Sequence, residues 1–189
     1  MSRPCCGNKV RLLSIALAVA GFLYPFAVYS LIGWLPPGLL LAIPLALIAG
    51  RLAMARGRPA LKPFTPILLA VAAITLCLAF ADRAVAVKAY PILMSAGMAA
   101  AFGRSLLTPP SLIEMLASLR TPDPSPEARA YMRKVTWAWF LFLCANSLVS
   151  ALTLASGEMR LWTLYNGLIS YLLMGLLFGV EWMIRRRVA

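Results

Sequence analysis

Six polar residues on two neighbouring apolar stretches are the first candidates for chemistry in this chain. Asn146, Ser150 and Thr153 recur at helical spacing on one stretch, and Thr163, Asn166 and Ser170 do the same on the next. If the two stretches are helices joined by a hairpin around 156–160, residues at equal depth have numbers of constant sum. The pairs 153/163, 150/166 and 146/170 satisfy this, so the two stripes stand level. Amides and hydroxyls at one depth could line a groove for a polar substrate. They could equally hydrogen-bond across the hairpin, at about 0.6 kcal/mol per contact inside a membrane. No charged residue accompanies the stripes, which favours the second reading.

A second constellation is Arg104, Glu114, Arg120 and Asp123 in the segment 104–134. Cations paired with carboxylates can bind a phosphate and move protons, as an enzyme acting on phospholipids would require. The spacing matches no motif, and basic flanks plus helix caps account for the same residues. No catalytic residue follows from either group. Metal chemistry has little to work with, since Cys5 and Cys6 lack ligand spacing and the chain has no histidine. Cys77 and Cys144 lie in apolar runs and read as small packing residues. Glu181 could couple a proton, but Arg185 follows at the favourable four-residue offset, so an ion pair is the simpler role. A cofactor is not expected.

The elements that must position these residues are membrane helices. Of 189 residues, 62% are hydrophobic and 13% charged, a composition suited to lipid as solvent. Apolar runs fall at 12–32, 34–50, 64–81, 85–103, 135–155 and 161–184. Each approaches the roughly 20 residues that cross a bilayer. The expectation is an all-α, six-transmembrane-helix bundle, a single domain over 1–189. Pro25 and Pro44 should kink the first two helices. Ala18-Val19-Ala20 resembles a signal-peptidase site, but the apolar stretch continues to Ile32 and reads as a retained helix.

The net charge of +12 would point to nucleic acid in a soluble protein. Here no nucleic-acid partner is expected, because the basic residues sit between apolar runs and no binding motif joins them. Fifteen of the eighteen Lys and Arg residues fall on alternate segments: the N-terminus, 51–63, 104–134 and the C-terminus. The positive-inside rule then places both termini in the cytoplasm of a bacterial inner membrane. Trp34, Tyr90 and Trp162 fall at outer helix ends and Tyr131, Trp137 and Trp182 at inner ends, where headgroup-level rings belong. The cytoplasmic face so defined would attract anionic headgroups of membrane lipids. Within it, Ser111-Leu112-Ile113-Glu114 is a capping-box pattern that opens a short amphipathic helix over 111–119, with Leu112, Ile113, Leu116 and Leu119 on one face. Ser125-Pro126-Glu127 starts a helix that continues into the fifth span. Gly175 and Gly179 form a GxxxG pair that predicts close helix packing.

The stretch 90–187 resembles an uncharacterised bacterial inner-membrane family often encoded beside aryl-polyene and related fatty-acid-type synthesis genes. The resemblance is carried by Phe102-Gly103-Arg104-Ser105-Leu106, Pro110 to Glu114, Tyr131-Met132-Arg133-Lys134-Val135-Thr136 with Trp139, Asn146, Leu161 to Gly167, and Glu181-Trp182. The layout is distantly similar to the inner-membrane septation protein family. These likenesses imply a non-enzymatic accessory role in cell-envelope lipid or polyene assembly, with an acyl carrier protein as a possible partner. A small transporter or lipid-flipping subunit and a membrane-bound transferase are the alternative functions. Neither family supplies catalytic residues.

Overall fold

In the computed structural model, which describes residues 5–56, 59–119 and 123–188, the chain is helical and no strand occurs among the described residues. Five helical stretches are long and apolar enough to cross a membrane: Leu12–Leu31, Pro37–Arg56, Arg83–Leu107, Pro126–Ala155 and Met159–Arg186. A further apolar helix, Thr65–Ala81, has 17 residues. At 1.5 Å per residue it spans about 25 Å, short of a typical hydrocarbon core of about 30 Å. The outward surface is apolar: Phe80 is 93% and Leu107 84% exposed, while Thr75, Thr136 and Ser150 are fully buried. Water would penalise that arrangement, and an apolar solvent would not. The architecture is compatible with a multi-pass membrane protein.

Contacts divide the chain into two units, Met1–Tyr90 and Pro91–Ala189. The first unit contains α1 (Cys5–Leu31), α2 (Pro37–Leu40), α3 (Ala42–Arg56), a 3-10 segment (Pro59–Phe64) and α4 (Thr65–Ala81). It also contains the first residues of α5 (Arg83–Leu107). The remainder of α5 belongs to the second unit, with α6 (Leu112–Ser118), α7 (Pro126–Ala155) and α8 (Met159–Leu164). A π-helical turn (Tyr165–Ile169) then leads into α9 (Ser170–Val188).

Local chemistry sets the boundaries. The second apolar run was expected over 34–50, but its helix starts only at Pro37, after Pro36, and reaches Arg56. Pro44 has no N–H for the Leu40 carbonyl, and the run breaks into α2 and α3 at Leu41. Asp82 is the single residue between α4 and α5. Its Oδ1 accepts from the N–H groups of Ala84 and Val85 at 2.7 and 3.1 Å, so it caps the start of α5. Ser125 accepts from the Ala128 N–H at 3.3 Å, Pro126 fills the first helical position, and α7 then runs unbroken for 30 residues. Gly157 turns the chain between α7 and α8 at φ 75°, a conformation costing a residue with a Cβ roughly 1–2 kcal/mol.

The buried face of α7 is Met132, Thr136, Trp139, Leu143, Asn146 and Ser150, at alternating offsets of three and four. Trp139 gathers Phe102 of α5, Phe142 and Phe178 of α9, with centroids at 6.3, 5.9 and 4.5 Å. Gly103 makes the approach of α5 to α7 possible, because a Cβ there would meet Phe140 at 2.8 Å. Gly175 and Gly179 behave otherwise than expected. A Cβ on either would meet nothing within 4 Å, since their side of α9 opens outward beside Leu172 and Leu176. Tyr90 and Trp162 are packed against the protein itself, at 4% and 1% exposure.

Candidate functional site

The polar stripe of α7 and of the α8–α9 stretch is buried. Asn146, Ser150, Thr163, Asn166 and Ser170 are all under one-tenth exposed, and Thr153 is half-buried. Ser150 Oγ donates to Asn166 Oδ1 at 2.6 Å, which joins the two stripes directly. Asn146 does not bond Ser170. Its Nδ2 donates to Ser95 Oγ of α5 at 2.9 Å, and its Oδ1 accepts from the Tyr165 hydroxyl at 3.1 Å. The network therefore reaches a third helix, and Ser147 adds a bond from its hydroxyl to the Ile92 carbonyl at 3.3 Å. Ser95, Ser147 and Tyr165 are the members that sequence reasoning missed. Their spacing on their own helices carries no signal until α5 is placed.

The π turn explains the rest of the pattern. Inserting a residue into a helix leaves a backbone carbonyl short of its usual donor. Asn166 Nδ2 donates to the Trp162 carbonyl four residues back, at 2.9 Å. Ser170 Oγ donates to the Asn166 carbonyl at 3.4 Å, while the Ser170 N–H reaches back five residues to Tyr165. Two stripe residues thus supply side-chain donors where the backbone is displaced. Thr153 Oγ1 donates to the Ser150 carbonyl at 2.8 Å and does not reach Thr163. The Thr163 hydroxyl is buried and has no hydrogen-bond partner among the described residues.

The second expected constellation does not assemble. Arg120 lies outside the described residues. Arg104 is exposed at the end of α5, and among the described residues its side chain makes no ion pair. Glu114 and Asp123 instead converge on Arg129, which the sequence reading did not single out. Arg129 Nη2 bonds Asp123 Oδ1 at 2.6 Å, its Nε bonds the Pro124 carbonyl at 3.0 Å, and Glu114 Oε1 lies 3.8 Å from Nε. Arg129 stands on the first turn of α7, six residues after Asp123, whose backbone is left-handed at φ 58°. Exposed pairs of this kind contribute about 0–1 kcal/mol.

Around α6, the Ser111 N–H donates to Glu114 Oε2 at 3.3 Å, the Glu half of the capping box. The Ser111 hydroxyl faces the α6 amides in the box arrangement but completes no hydrogen bond among the described residues. The Leu112 N–H is taken by Ser105 Oγ at 3.0 Å, and Arg133 Nη2 caps the Leu106 carbonyl at 3.1 Å. Leu112 is buried; Leu116 and Leu119 are open. Glu181 lies 3.8 Å from Arg185, the offset expected for an ion pair along the helix.

A third constellation lies in the first unit. The charge pattern places Arg51 in the segment 51–63 between apolar runs, but α3 extends to Arg56 and carries Arg51 inside the helix. Its Nη1 donates to the Tyr90 hydroxyl at 2.6 Å. Tyr90 stacks edge-on against Tyr24 at 5.0 Å, and the Tyr24 hydroxyl donates to the Val87 carbonyl at 2.6 Å. The reason is Pro91. Lacking an N–H, it cannot bond the carbonyl four residues back, which is that of Val87. Tyr24 supplies the missing donor. Pro25 likewise deprives the Gly21 carbonyl of its helical donor, and Arg51 Nη2 stands 3.0 Å from where a Gly21 Cβ would be. Among the described residues no carboxylate pairs with Arg51.

Fold and sites together define a chain that is helical over the described residues, with several membrane-length apolar helices and an interior joined by side-chain hydrogen bonds, most of them between uncharged groups. No protein-family model, curated protein or solved structure matches it. Nor does any group of three or more metal-ligating side chains occur among the described residues.

Proposed function

We propose that this protein is a non-enzymatic accessory protein of the bacterial inner membrane, serving cell-envelope lipid or polyene assembly. The observation that carries the accessory role is the use made of the polar stripe. Asn146, Ser150, Thr153, Asn166 and Ser170 all spend donors or acceptors on partners within the chain. Such groups stabilise packing and leave little for a substrate path. The pathway assignment rests on the resemblance carried by 90–187. In this reading six helices span the bilayer, Thr65–Ala81 by local thinning or flanking basic residues. Both termini and α6 then lie at the cytoplasmic face, with Leu116 and Leu119 against lipid. A lipid-flipping subunit is the second reading, favoured by Arg51, a cation inside an apolar helix with no carboxylate partner among the described residues.

Topology is open to direct measurement. Reporter fusions after Pro59, Ser125 and Ala189 should read cytoplasmic, and fusions near Arg83 and Gly157 external. A periplasmic signal at Ser125 would overturn the arrangement.

The functional reading is tested by profiling lipids and pigments in a deletion strain complemented with the native chain or with Asn146→Leu. The expected result is an altered envelope profile on deletion, restored by both genes. Failure of the variant while it still accumulates in the membrane would move the assignment to transport. The basic cytoplasmic face is also suited to an acidic acyl carrier protein, which low-salt co-purification would retain.

A further inference from the structure

The first 81 residues contain no acidic side chain at all. They do contain Arg3, Lys9, Arg11, Arg51, Arg56, Arg58 and Lys62. The first acid is Asp82, at the far end of α4 from Arg56 and Lys62. A stretch of chain that is basic throughout and holds no acid has no counter-charge of its own. Between α3 and α4 the same end carries a groove of about 380 Å³, lined by Leu52, Ala55, Arg56, Thr65 and Leu69. Leu52, Ala55 and Arg56 share one face of α3, and Thr65 and Leu69 lie one turn apart on α4. The floor is apolar, with Ala55 fully buried and Leu69 open at the side. Arg56, the last residue of α3, is exposed and makes no ion pair among the described residues. Thr65, the first residue of α4, brings a hydroxyl to the same mouth.

We propose that this groove binds one anionic glycerophospholipid, its acyl chain along Leu52, Ala55 and Leu69 and its headgroup phosphate at Arg56 and Thr65. A volume near the lower end of ligand clefts, about 300–1,000 Å³, suits one acyl chain and not a whole lipid. Apolar walls alone would accept any lipid tail. Arg56, which makes no ion pair among the described residues, selects for negative charge, and its planar donors suit phosphate oxygens. The site rests on the membrane reading above but on none of the pathway assignment.

The test uses the purified full-length chain, delipidated in neutral detergent and titrated with short-chain phosphatidylglycerol, phosphatidylcholine or inorganic phosphate. Native mass spectrometry reads the bound adduct. Phosphatidylglycerol should bind at least tenfold tighter than phosphatidylcholine, and inorganic phosphate should neither bind nor compete. Arg56→Gln should remove most of that preference, while Arg160→Gln, which deletes a charge elsewhere, should leave it intact. Leu52→Trp, which fills the groove, should weaken phosphatidylglycerol binding with the helical circular dichroism unchanged. Equal binding of both lipids, or equal losses in the two arginine variants, would overturn the site. Competition by inorganic phosphate would also overturn it, by assigning Arg56 to a free anion. Membrane extraction and the reporter fusions are unaffected by any of these outcomes, so failure of the site is separable from failure of the membrane reading.

Discussion

Replacing Trp139 with alanine should lower the unfolding free energy of the detergent-solubilised protein by about 3 kcal/mol, the low end of the range for core tryptophans. Trp139 is 7% exposed and touches rings from α5, α7 and α9. Each aromatic pair contributes about 0.5–1.5 kcal/mol beyond area burial. The estimate stays low because lipid is as apolar as the protein interior, so transfer from water is not part of the cost. What is lost is packing, and the cavity opens where three helices meet. Titration with a denaturing detergent, followed by circular dichroism, measures the change. Trp137→Ala is the comparison, since that ring is 46% exposed and should cost under 1 kcal/mol. Equal losses in the two variants would show that the Trp139 cluster contributes no special packing.

The second large effect is expected at Asn166. Changing it to leucine removes the acceptor for Ser150 and the donor to the Trp162 carbonyl. Two buried hydrogen bonds in a membrane amount to roughly 1–3 kcal/mol. A further consequence is geometric. Without the Asn166 side chain on the Trp162 carbonyl, the π turn loses a stabilising bond, and the ordinary α-helix becomes the competing local structure. Closing the bulge rotates everything beyond it by one residue, about 100°. Ser170 and Phe178 would then leave their present faces. Spin-label distances between α7 and α9 should therefore broaden or shift in Asn166→Leu but stay sharp in Thr153→Val, which loses only a bond to its own helix. Unchanged distances in Asn166→Leu would show that the bulge is held by packing alone.

Much of the helical layout could be read from apolar run length and cap residues. Ser125-Pro126-Glu127 and Pro66 each mark a helix start, and the Glu181–Arg185 pair needs only its offset. What escaped the sequence shares a physical cause: it depends on which helices are neighbours. Tyr24 bonds Val87 across 63 residues, and Asn146 bonds Ser95 across 51. Neither partner stands out along its own helix. The π turn was invisible for a different reason. Its stabilising bonds come from Asn166 and Ser170, which an uninterrupted α-helix would have presented as ordinary polar residues. Arg51 was misplaced because a single cation after an apolar run looks like a helix end. The structure carries it within α3, held by the Tyr90 hydroxyl.

The Tyr24–Val87 bond bears on the order in which the chain is made. Helices leave the ribosome from the N-terminus, so in the membrane reading Tyr24 enters the bilayer well before Val87. An α5 inserted by itself would carry a carbonyl that Pro91 cannot let its own helix satisfy, at a cost of several kcal/mol in hydrocarbon. The donor that removes this cost already waits in α1. In the membrane reading proposed above, biogenesis would thus have a direction, with α1 as a folding template for a helix synthesised later. Co-expression of residues 1–64 with a fragment beginning at Thr65 should rescue insertion of α5, while the same experiment with Tyr24→Phe should rescue it less.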